Sequence, residues 1–486
     1  MWGMATRRAF LRGSAAVGLG AVVPGLTACV PPPDPVGGPA PFRHGVASGD
    51  PEPTSVLLWT RVDPVPGGAT ALVDWQVATD PTFDQVVARG SAEAVPASDW
   101  TVKVIAGGLD SATTYHYRFT TSGASSPVGR TRTTPTGAVD RLRLGVVSCS
   151  NYGYGNFYGY RNLAARTDLD AIVHLGDYIY EYASAGHGET FGEFRPLDPP
   201  YEILSLDDYR RRYAHYRRDP DLQELHRQFA MIPIWDDHEF ANDPYIGGAE
   251  NHEPLVDGDW PTRVAAAVQA YHEWMPTRVT DDRIYRTVEF GDLARLVLTD
   301  RQRRFIWPQP DDRDLYLGRE QFDWLDERLS ESSASWLVLG AQTTFGSTDP
   351  DLVTGGWGER DRARVFEHLA AGRSENLVAI SGDTHQALAL DLVSDRAAYL
   401  AGTGGLAGVE LSCGSITSPG GNLLRAGNPV RWNSGFNRTY LVLDFSPEEL
   451  RSEFFGFFDL GKYLPWSPGE DLLASFTTTT GAHRFS

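Results

Sequence analysis

Six apolar runs of strand length are the feature that most constrains how this chain can fold. They are LRLGVV (142–147), AIVHLG (171–176), FAMIPIW (229–235), ARLVLT (294–299), WLVLG (336–340) and LVAIS (377–381). Stretches with a helical pattern separate them, among them LDDYRRRYAHYRR, PTRVAAAVQAYHEW and REQFDWLDERL. Strands that are apolar along their whole length belong to sheets that other elements cover on both faces. The pattern therefore predicts an α/β core.

The region after residue 395 extends this core. AAYLAGT, TYLVLDF and LRSEFFGFFD are predicted to be further strands, so we expect two mixed sheets. Before residue 135 the pattern differs, because short alternating runs such as ALVDWQVA and TYHYRFTT are separated by Gly, Pro, Asp and Ser. That spacing predicts a small β-sandwich. We therefore divide the body of the chain into a sandwich over 42–134 and an α/β domain over 135–486.

The first 41 residues are typical of an export signal followed by a spacer. Arg7 and Arg8 precede Phe-Leu and a weakly apolar stretch, which resembles a twin-arginine signal over 1–28. LTAC ends at Cys29 and resembles a lipobox, which predicts a lipid anchor on that cysteine; an ordinary signal with a chance cysteine is the alternative. The Pro-rich stretch 29–41 is then a linker. We expect an extracytoplasmic protein, secreted or held at the cell surface, that passes through the twin-arginine translocase.

The acidic composition argues against one class of partner. Asp plus Glu total 63 and Lys plus Arg total 43, and removal of the signal would take away three Arg and no acid, which leaves a net charge of −23. Such a surface repels polyanions, so we expect no nucleic-acid partner. An anionic substrate would need local positive charge, which a bound metal can supply.

Chemically active side chains follow the apolar runs at the points where the strands should end. In chain order they are Cys149, Asp177 with Tyr180 and Glu181, the run Asp236–Glu239, Asp300 with Arg301, Gln342, and Asp383 with His385. Ligands bind outside the carboxyl ends of strands in α/β sheets, because the loops converge there. Borderline and hard cations take this mixture of oxygen, nitrogen and thiolate donors. The sequence therefore predicts a metal site at this edge.

The spacings support that hypothesis, although each residue alone has a simpler explanation. Asp177 and Tyr180 would point the same way from one helical turn, and Asp383 and His385 would share one side of an extended chain. A strand-terminal Asp is often only a helix cap, and a tyrosine or cysteine often belongs to the core. Cys149 could also pair with Cys413 as a disulfide. Coincidences at four strand ends would be needed, so we favour the metal site.

The motifs resemble those of the calcineurin-like metallophosphoesterases, and within them the alkaline phosphatase D (PhoD) family. The motifs are HGVASGDP (44–51), SCSNY (148–152), GDYIYE (176–181), WDDHE (235–239), TDRQ (299–302) and SGDTH (381–385). The resemblance covers nearly the whole chain after the signal. It implies a two-sheet metallophosphoesterase core with an N-terminal fibronectin-like β-sandwich, and hydrolysis of phosphate esters by a metal-activated hydroxide.

The same resemblance implies a cluster of Fe³⁺ with Ca²⁺ and assigns roles by motif. The implied iron ligands are Cys149, Asp177, Tyr180 and His385. Asp177 would also bind calcium, with Asp237 and Asp383 as further ligands. The implied catalytic residues are His238, which would stabilise the phosphate or protonate the leaving group, and Arg301, which would contact the phosphate. Asp236 and Asn242 are implied as outer residues or additional calcium ligands.

Two departures from the family pattern concern the substrate rim and one possible outer ligand. The stretch 350–362 lacks the Trp-Asp-Gly-Tyr segment expected there, although Trp357 and Arg360 remain, and Val430 replaces a histidine. The preferred hypothesis is an extracellular phosphomonoesterase or phosphodiesterase. The alternatives are a phospholipase acting on lipid head groups and a non-catalytic surface-binding lipoprotein. The chain has no GxSxG, HExxH or CxxC motif, so serine hydrolase, zincin and dithiol redox functions have no support.

Overall fold

Two mixed β-sheets pack against each other in the computed structural model and share one buried hydrophobic cluster. The structure describes residues 37–486 except 66, 68, 185–194, 279–282, 308–314, 347–356, 371–375, 421–428 and 458–468. The predicted signal, Cys29 and most of the linker lie outside the described residues. Contacts over Asp34–Ser486 form a single unit. No helix in the described ranges is both long enough and apolar enough to cross a bilayer.

Strands before residue 150 build the sandwich and begin the core. They are β1 (Val46–Glu52), β2 (Ser55–Arg61), β3 (Ala71–Ala78), β4 (Val86–Ala94), β5 (Thr101–Gly107), β6 (Thr114–Thr121), β7 (Ala124–Ser125), β8 (Gly129–Arg132) and β9 (Leu142–Val147). The later strands are β10 (Ala171–Leu175), β11 (Ala230–Ile234), β12 (Arg286–Phe290), β13 (Ala294–Leu298), β14 (Trp336–Gly340), β15 (Leu377–Ser381), β16 (Ala387–Val393), β17 (Leu406–Cys413), β18 (Val430–Ser434), β19 (Arg438–Phe445), β20 (Glu449–Phe457) and β21 (Asp471–Thr479).

The helices lie mainly between the core strands, as the alternating pattern predicts. They are α1 (Tyr158–Ala164), α2 (Leu206–Tyr216), α3 (Pro220–Gln228), α4 (Pro254–Asp257), α5 (Trp260–Trp274), α6 (Gln302–Ile306), α7 (Arg319–Ser330), α8 (Glu359–Ala370) and α9 (Arg396–Leu400). Several begin at a side chain that accepts from the free amides of the first turn, which is a strong start signal. Ser205 forms a capping box at α2, and Asp219 and Asp259 cap α3 and α5.

The first sheet has the order β21-β20-β19-β9-β10-β11-β1-β2-β5, and the second has the order β12-β13-β14-β15-β17-β16-β18. Strands β9, β10, β11 and β1 are parallel in the first sheet, and β13, β14, β15 and β17 are parallel in the second. The outer strands in both sheets are antiparallel. The prediction of an α/β core with two mixed sheets is therefore confirmed. Both sets of parallel strands end at the edge where the predicted site residues lie.

One strand prediction was wrong. AAYLAGT contains α9, and the next strand, β17, begins six residues after that helix ends. Asp395 accepts a hydrogen bond from the amide of Ala398 and so caps the helix. Alanine and leucine favour a helix once such a cap is present. The apolar run was too short for its period to separate the two states.

The sandwich shares a sheet with the core. A third sheet, in the order β4-β3-β6-β7 with β8 beside β6, packs against β1, β2 and β5 across its own hydrophobic cluster. Strand β1 also pairs in parallel with β11, with Ser48 opposite Ala230 and Gly49 opposite Met231. Residues 42–134 therefore contribute three strands to the first sheet, which the local strand pattern could not show.

The side chain of Asp50 links the strands that meet where the sandwich joins the core. Its buried carboxylate accepts from Thr277 Oγ1 at 2.8 Å, from the amide of Arg278 at 2.7 Å and from Arg286 Nη2 at 2.6 Å. Arg286 lies on β12, so the contact links the two sheets. Beside it, a Cβ on Gly49 would lie 1.8 Å from the carbonyl oxygen of Pro276, so only glycine fits this close approach.

We expect Asp50→Ala to destabilise the fold by roughly 3–5 kcal/mol, because it removes a buried carboxylate and leaves the largely covered Arg286 guanidinium, 16% exposed, without its partner. Urea unfolding followed by circular dichroism measures this change. Asp63→Ala is the matched control, since the Arg43–Asp63 pair has side-chain exposures of 43% and 29%. That pair should contribute only about 0–1 kcal/mol. Equal losses in the two variants would contradict the role of Asp50.

Candidate metal centre

The candidate ligands lie on short loops that follow the parallel strands of both sheets. Cys149 and Asp177 come two residues after β9 and β10, Asp237 three after β11, and Asp383 two after β15. The loops are tied to one another, because the amide of Cys149 donates to Gly176 O at 3.2 Å. All except Asp383 are buried, with Cys149, Asp177 and Asp237 at most 2% exposed. The tertiary fold therefore brings distant strand ends to one buried location.

Four of the candidate ligands, three of those named above and His385, have backbone conformations that are rare outside glycine. The φ angles are 59° at Cys149, 56° at Asp177, 60° at Asp383 and 55° at His385. Each costs of order 1–3 kcal/mol, and such residues cluster at functional sites. The proposed geometries of a helical turn after Asp177 and an extended chain through Asp383 were therefore wrong. The left-handed backbone at these four residues sets the direction of their side chains instead.

Three groups of side chains place potential ligand atoms within 4.8 Å of one another. They are Cys149, Asp177 and His385; Asp177, Asp237 and His238; and Asp236, Asp237 and Asp383. Asp177 belongs to the first two groups and Asp237 to the last two. Shared carboxylates can bridge neighbouring cations, so the arrangement suits a cluster better than a single ion.

Tyr180 joins the first group through its hydroxyl. That hydroxyl lies 3.2 Å from Asp177 Oδ2 and 3.2 Å from His385 Nε2, and Ser418 Oγ lies 2.6 Å away. His385 Nδ1 is 3.0 Å from the carbonyl of Pro419, which can only accept, so Nδ1 carries a proton and the Nε2 lone pair faces the site. Burial lowers the pKa of His385 to about 4, so the imidazole is neutral at neutral pH, the form that binds metals.

The closely spaced, buried carboxylates of the centre favour the binding of cations. Burial raises the pKa of Asp177 well above its usual value, and Asp237 and Asp236 add to the increase although His238 opposes it. Burial also raises the pKa of Asp236, with Arg301 opposing and Asp237 adding. Asp177 Oδ1 is buried and accepts no hydrogen bond from the part of the chain that the structure describes. A cation would satisfy that oxygen and relieve the repulsion, so the residues present fit a bound metal.

Thiol and phenol groups in the centre also fit a strongly charged metal. Burial raises the pKa of the Cys149 thiol well above its usual value, and the neighbouring Asp177 carboxylate adds to the increase. Burial and Asp177 act in the same way on the Tyr180 phenol. Both groups therefore need a cation to exist as thiolate and phenolate. Cys149 and Cys413 are free thiols, so the disulfide alternative has no support.

Arg301 lies among the carboxylates. Its guanidinium makes two bonds to Asp236, at 2.7 and 3.0 Å, and its Nη2 lies 3.3 Å from Asp383 Oδ1 and 3.5 Å from Asp237 Oδ1. Gln302 Nε2 donates to Asp236 as well, at 2.6 Å. Asp236 is therefore engaged by protein donors. Arg301 lies close enough to the centre to meet an anionic substrate.

His238 has a fixed orientation. Its Nδ1 lies 2.8 Å from Glu181 Oε2, so Nδ1–H donates to that carboxylate and Nε2 is the nitrogen left to face Asp177 and Asp237. Burial alone would lower the pKa of His238, but the carboxylates of Glu181, Asp177 and Asp237 raise it well above its usual value. When protonated, the ring can give a proton from Nε2.

Sequence reasoning left two supporting residues without a role. Glu239 accepts from the amides of Asp177 at 3.0 Å, Tyr178 at 2.5 Å and Asp236 at 2.7 Å, and so joins the loops after β10 and β11. Ser418 lies on a loop that sequence reasoning did not associate with the site. Glu239 was detectable as part of the acidic run after a buried strand, whereas no local signal marked Ser418.

Three further residues named from the sequence are Asn242, Val430 and Trp357. The Asn242 side chain donates to Glu250 Oε2. Val430 begins β18 and is 2% exposed, so a core residue takes the place of the expected histidine. Trp357 is buried, with its ring centre 5.0 Å from that of Phe345. Residues 350–356 of the divergent rim stretch lie outside the described residues.

Comparisons with known proteins agree with this architecture. The family model described as PhoD-like phosphatase matches residues 144–454, and the model for the N-terminal domain of PhoD-like phosphatases matches residues 28–135. Alkaline phosphatase D of Bacillus subtilis (strain 168) is 36% identical over 416 residues, which cover 79% of this chain and 70% of that protein. A solved structure of PhoD superposes with a TM-score of 0.83 at 30% identity and covers 92% of each chain. With candidate ligands at its strand ends and this likeness along its length, the chain belongs to the PhoD-like phosphatase family and is a metal-binding phosphoesterase.

Proposed function

We propose that this phosphoesterase hydrolyses phosphodiesters and phosphomonoesters outside the cytoplasm, at a centre of Fe³⁺ and Ca²⁺. The observation that carries the proposal is the position of Asp177. Its carboxylate belongs to two groups of potential ligands and has a buried oxygen that no described residue donates to. A carboxylate in that position is suited to bridging two cations.

The donor chemistry supports different metals in the two halves of the centre. Cys149, Tyr180 and His385, with Asp177, offer a thiolate, a phenolate, an imidazole and a carboxylate, which together suit a trivalent iron. Asp237 and Asp383, again with Asp177, offer only carboxylate oxygens, which suit calcium. Bound cations would neutralise the charge of the phosphate and make a water molecule acidic enough to attack phosphorus at neutral pH.

Two residues of the chain would act directly on the substrate. His238 lies beside Asp177 and Asp237 with Nδ1 bonded to Glu181, so in its protonated form it would stabilise a phosphate oxygen or protonate the leaving oxygen as the ester bond breaks. Arg301 would balance the charge of Asp236 and Asp383 and offer positive charge to the phosphate.

Export through the twin-arginine translocase, followed by lipid anchoring at Cys29, completes the proposal. Arg7 and Arg8 stand before a weakly apolar stretch, and LTAC ends at Cys29. Twin-arginine export carries folded proteins, so it would allow this buried centre to take up its metals before translocation. Phosphate esters at the cell surface are then the accessible substrates.

We expect Asp177→Asn and His385→Ala to abolish hydrolysis of bis(p-nitrophenyl) phosphate while the folded structure remains, because each removes a ligand from the centre. Steady-state kinetics, circular dichroism and elemental analysis of each variant provide the test. Asp74→Asn is the control, since Asp74 is exposed on β3 and bonded to Ser91. Full activity in either ligand variant would rule out the assigned site.

The iron assignment predicts a coloured protein. A phenolate and a thiolate on Fe³⁺ give charge-transfer absorption in the visible range, so protein exported by its native route should contain iron and absorb there. Tyr180→Phe should shift or weaken the band, whereas Tyr201→Phe, at an exposed tyrosine, should not change it. Active protein without iron would refute the metal identity but not the ligand set.

The export signal predicts two separable phenotypes. Replacing both Arg7 and Arg8 with lysine should keep the protein in the cytoplasm, because the paired arginines are what the translocase recognises. Cys29→Ala should permit export but release the protein from the membrane fraction. Cell fractionation and immunoblotting measure both outcomes. Normal export of the double-lysine variant would contradict the twin-arginine route.

A further inference from the structure

Phe305 is a large aromatic side chain that stays partly exposed beside Arg301. It belongs to α6 and is 37% exposed. Arg301 precedes that helix with helical backbone angles of φ −67° and ψ −30°. Residues four positions apart are neighbours on one face of a helix. The Phe305 ring therefore borders the guanidinium that lies 3.3 Å from Asp383 Oδ1 at the candidate metal centre.

The ring of Tyr316 lies against that of Phe305. The two ring centres are 5.7 Å apart and the planes are at 73°, which is an edge-to-face contact, and Tyr316 is only half-buried. Burial raises the pKa of the Tyr316 phenol and Arg301 opposes the increase, so the hydroxyl lies close to that guanidinium. Phe305 and Tyr316 thus form one surface beside Arg301, which we call the aromatic wall.

Neighbouring segments hold the aromatic wall in place. The amide of Tyr316 donates to Asp361 Oδ2 at 3.0 Å, and Arg304 Nε donates to Leu315 O at 3.2 Å. The Tyr316 ring also packs on the Trp357 ring, with centres 5.6 Å apart at 34°, and Trp357 is buried. A surface that is already fixed loses little conformational entropy when a ligand packs on it.

Glu410 extends this support to β17. It is 0% exposed and accepts from the amide of Phe345 at 2.8 Å, the amide of Gly346 at 2.6 Å and Ser381 Oγ at 2.7 Å. The Phe345 ring meets the Trp357 ring edge-on, with centres 5.0 Å apart at 77°. The rings behind the aromatic wall are therefore anchored to the second sheet.

The aromatic wall and His238 lie beside different carboxylates of the centre. His238 is grouped with Asp177, whereas Arg301 pairs with Asp236, which belongs to another group. In the proposed function His238 acts on the leaving oxygen. The attacking and leaving oxygens lie roughly in line through phosphorus, so an organic group that is not released projects to the side. Beside Arg301, that group would meet the aromatic wall.

We propose that the aromatic wall is a subsite for the organic group that a phosphodiester keeps on phosphorus, and that it selects diesters in which this group is aromatic or otherwise apolar. The inference rests on the proposed function and deepens it by naming the substrate class. Such a group packs on Phe305 and Tyr316 by burying apolar surface. A phosphomonoester has no retained organic group and gains nothing from the subsite.

Three esters with the same leaving group test the subsite. They are p-nitrophenyl phosphate, methyl p-nitrophenyl phosphate and phenyl p-nitrophenyl phosphate. Phe305→Ala should raise KM for the phenyl ester about 5- to 10-fold and leave kcat nearly unchanged, because the ring would bind ground state and transition state alike. The methyl ester and the monoester should change less than about twofold, since neither reaches the wall with an apolar ring.

Matched variants sharpen the experiment. Phe305→Trp keeps a flat ring and should retain the preference for the phenyl ester. Leu72→Ala is the control for loss of an exposed apolar side chain, because Leu72 lies on β3 of the sandwich and is 61% exposed. It should leave the ratio of kcat/KM for the phenyl and methyl esters unchanged. That ratio does not depend on how much of a preparation is folded or loaded with metal.

The outcomes separate this inference from the proposed function. Hydrolysis of all three esters with the same phenyl-to-methyl ratio in wild type and Phe305→Ala would overturn the subsite and leave the metal centre standing. An equal loss on every ester would make Phe305 a structural residue and would overturn it also. A wild-type protein that binds metal but hydrolyses none of the three esters would overturn the proposed function, and this inference with it.

Discussion

Negative charge buried at the carboxyl ends of two packed sheets is the constraint on which the rest of the structure depends. Asp177, Asp236 and Asp237 lie close together at 1–2% exposure, and their mutual repulsion opposes folding unless positive charge is supplied. Within the protein, Arg301 and His238 supply part of it. The unbonded oxygen of Asp177 marks the place where bound cations would supply the rest.

Residues around the ligands keep this unfavourable arrangement in place. Glu239 joins two loops through three backbone amides, and Ser418 reaches Tyr180 from a loop far along the chain. Left-handed backbone at Cys149 and Asp383 stores strain that the packed sheets must hold. The contact between Asp50 and Arg286 also holds the arrangement in place, because this salt bridge joins the two sheets. Stability elsewhere thus sustains a site that is unstable by itself.

Much of the fold could be predicted because its core strands carry a strong local signal. LRLGVV, WLVLG and LVAIS became β9, β14 and β15 with the same bounds, since a fully buried strand is apolar at every position. AAYLAGT failed because seven residues with alanine and leucine suit either state, and the cap at Asp395 decided between them. The parallel pairing of β1 with β11 was not predictable, because the paired residues are 182 positions apart and local periodicity carries no information about such distant partners.

The sequence by itself determined which chemical groups end each core strand, and hence that Cys149, Asp177, Asp237 and Asp383 should meet at one edge. Residue type and the succession of strands along the chain are given by the sequence, and the carboxyl ends of parallel strands in a sheet lie at one edge. Only the tertiary structure decided how those groups face one another. It placed His385 near Cys149 but Asp383 near Asp237, and it brought Glu181 within hydrogen-bonding distance of His238. Side-chain direction in these turns depends on packing between both sheets, which no single segment encodes.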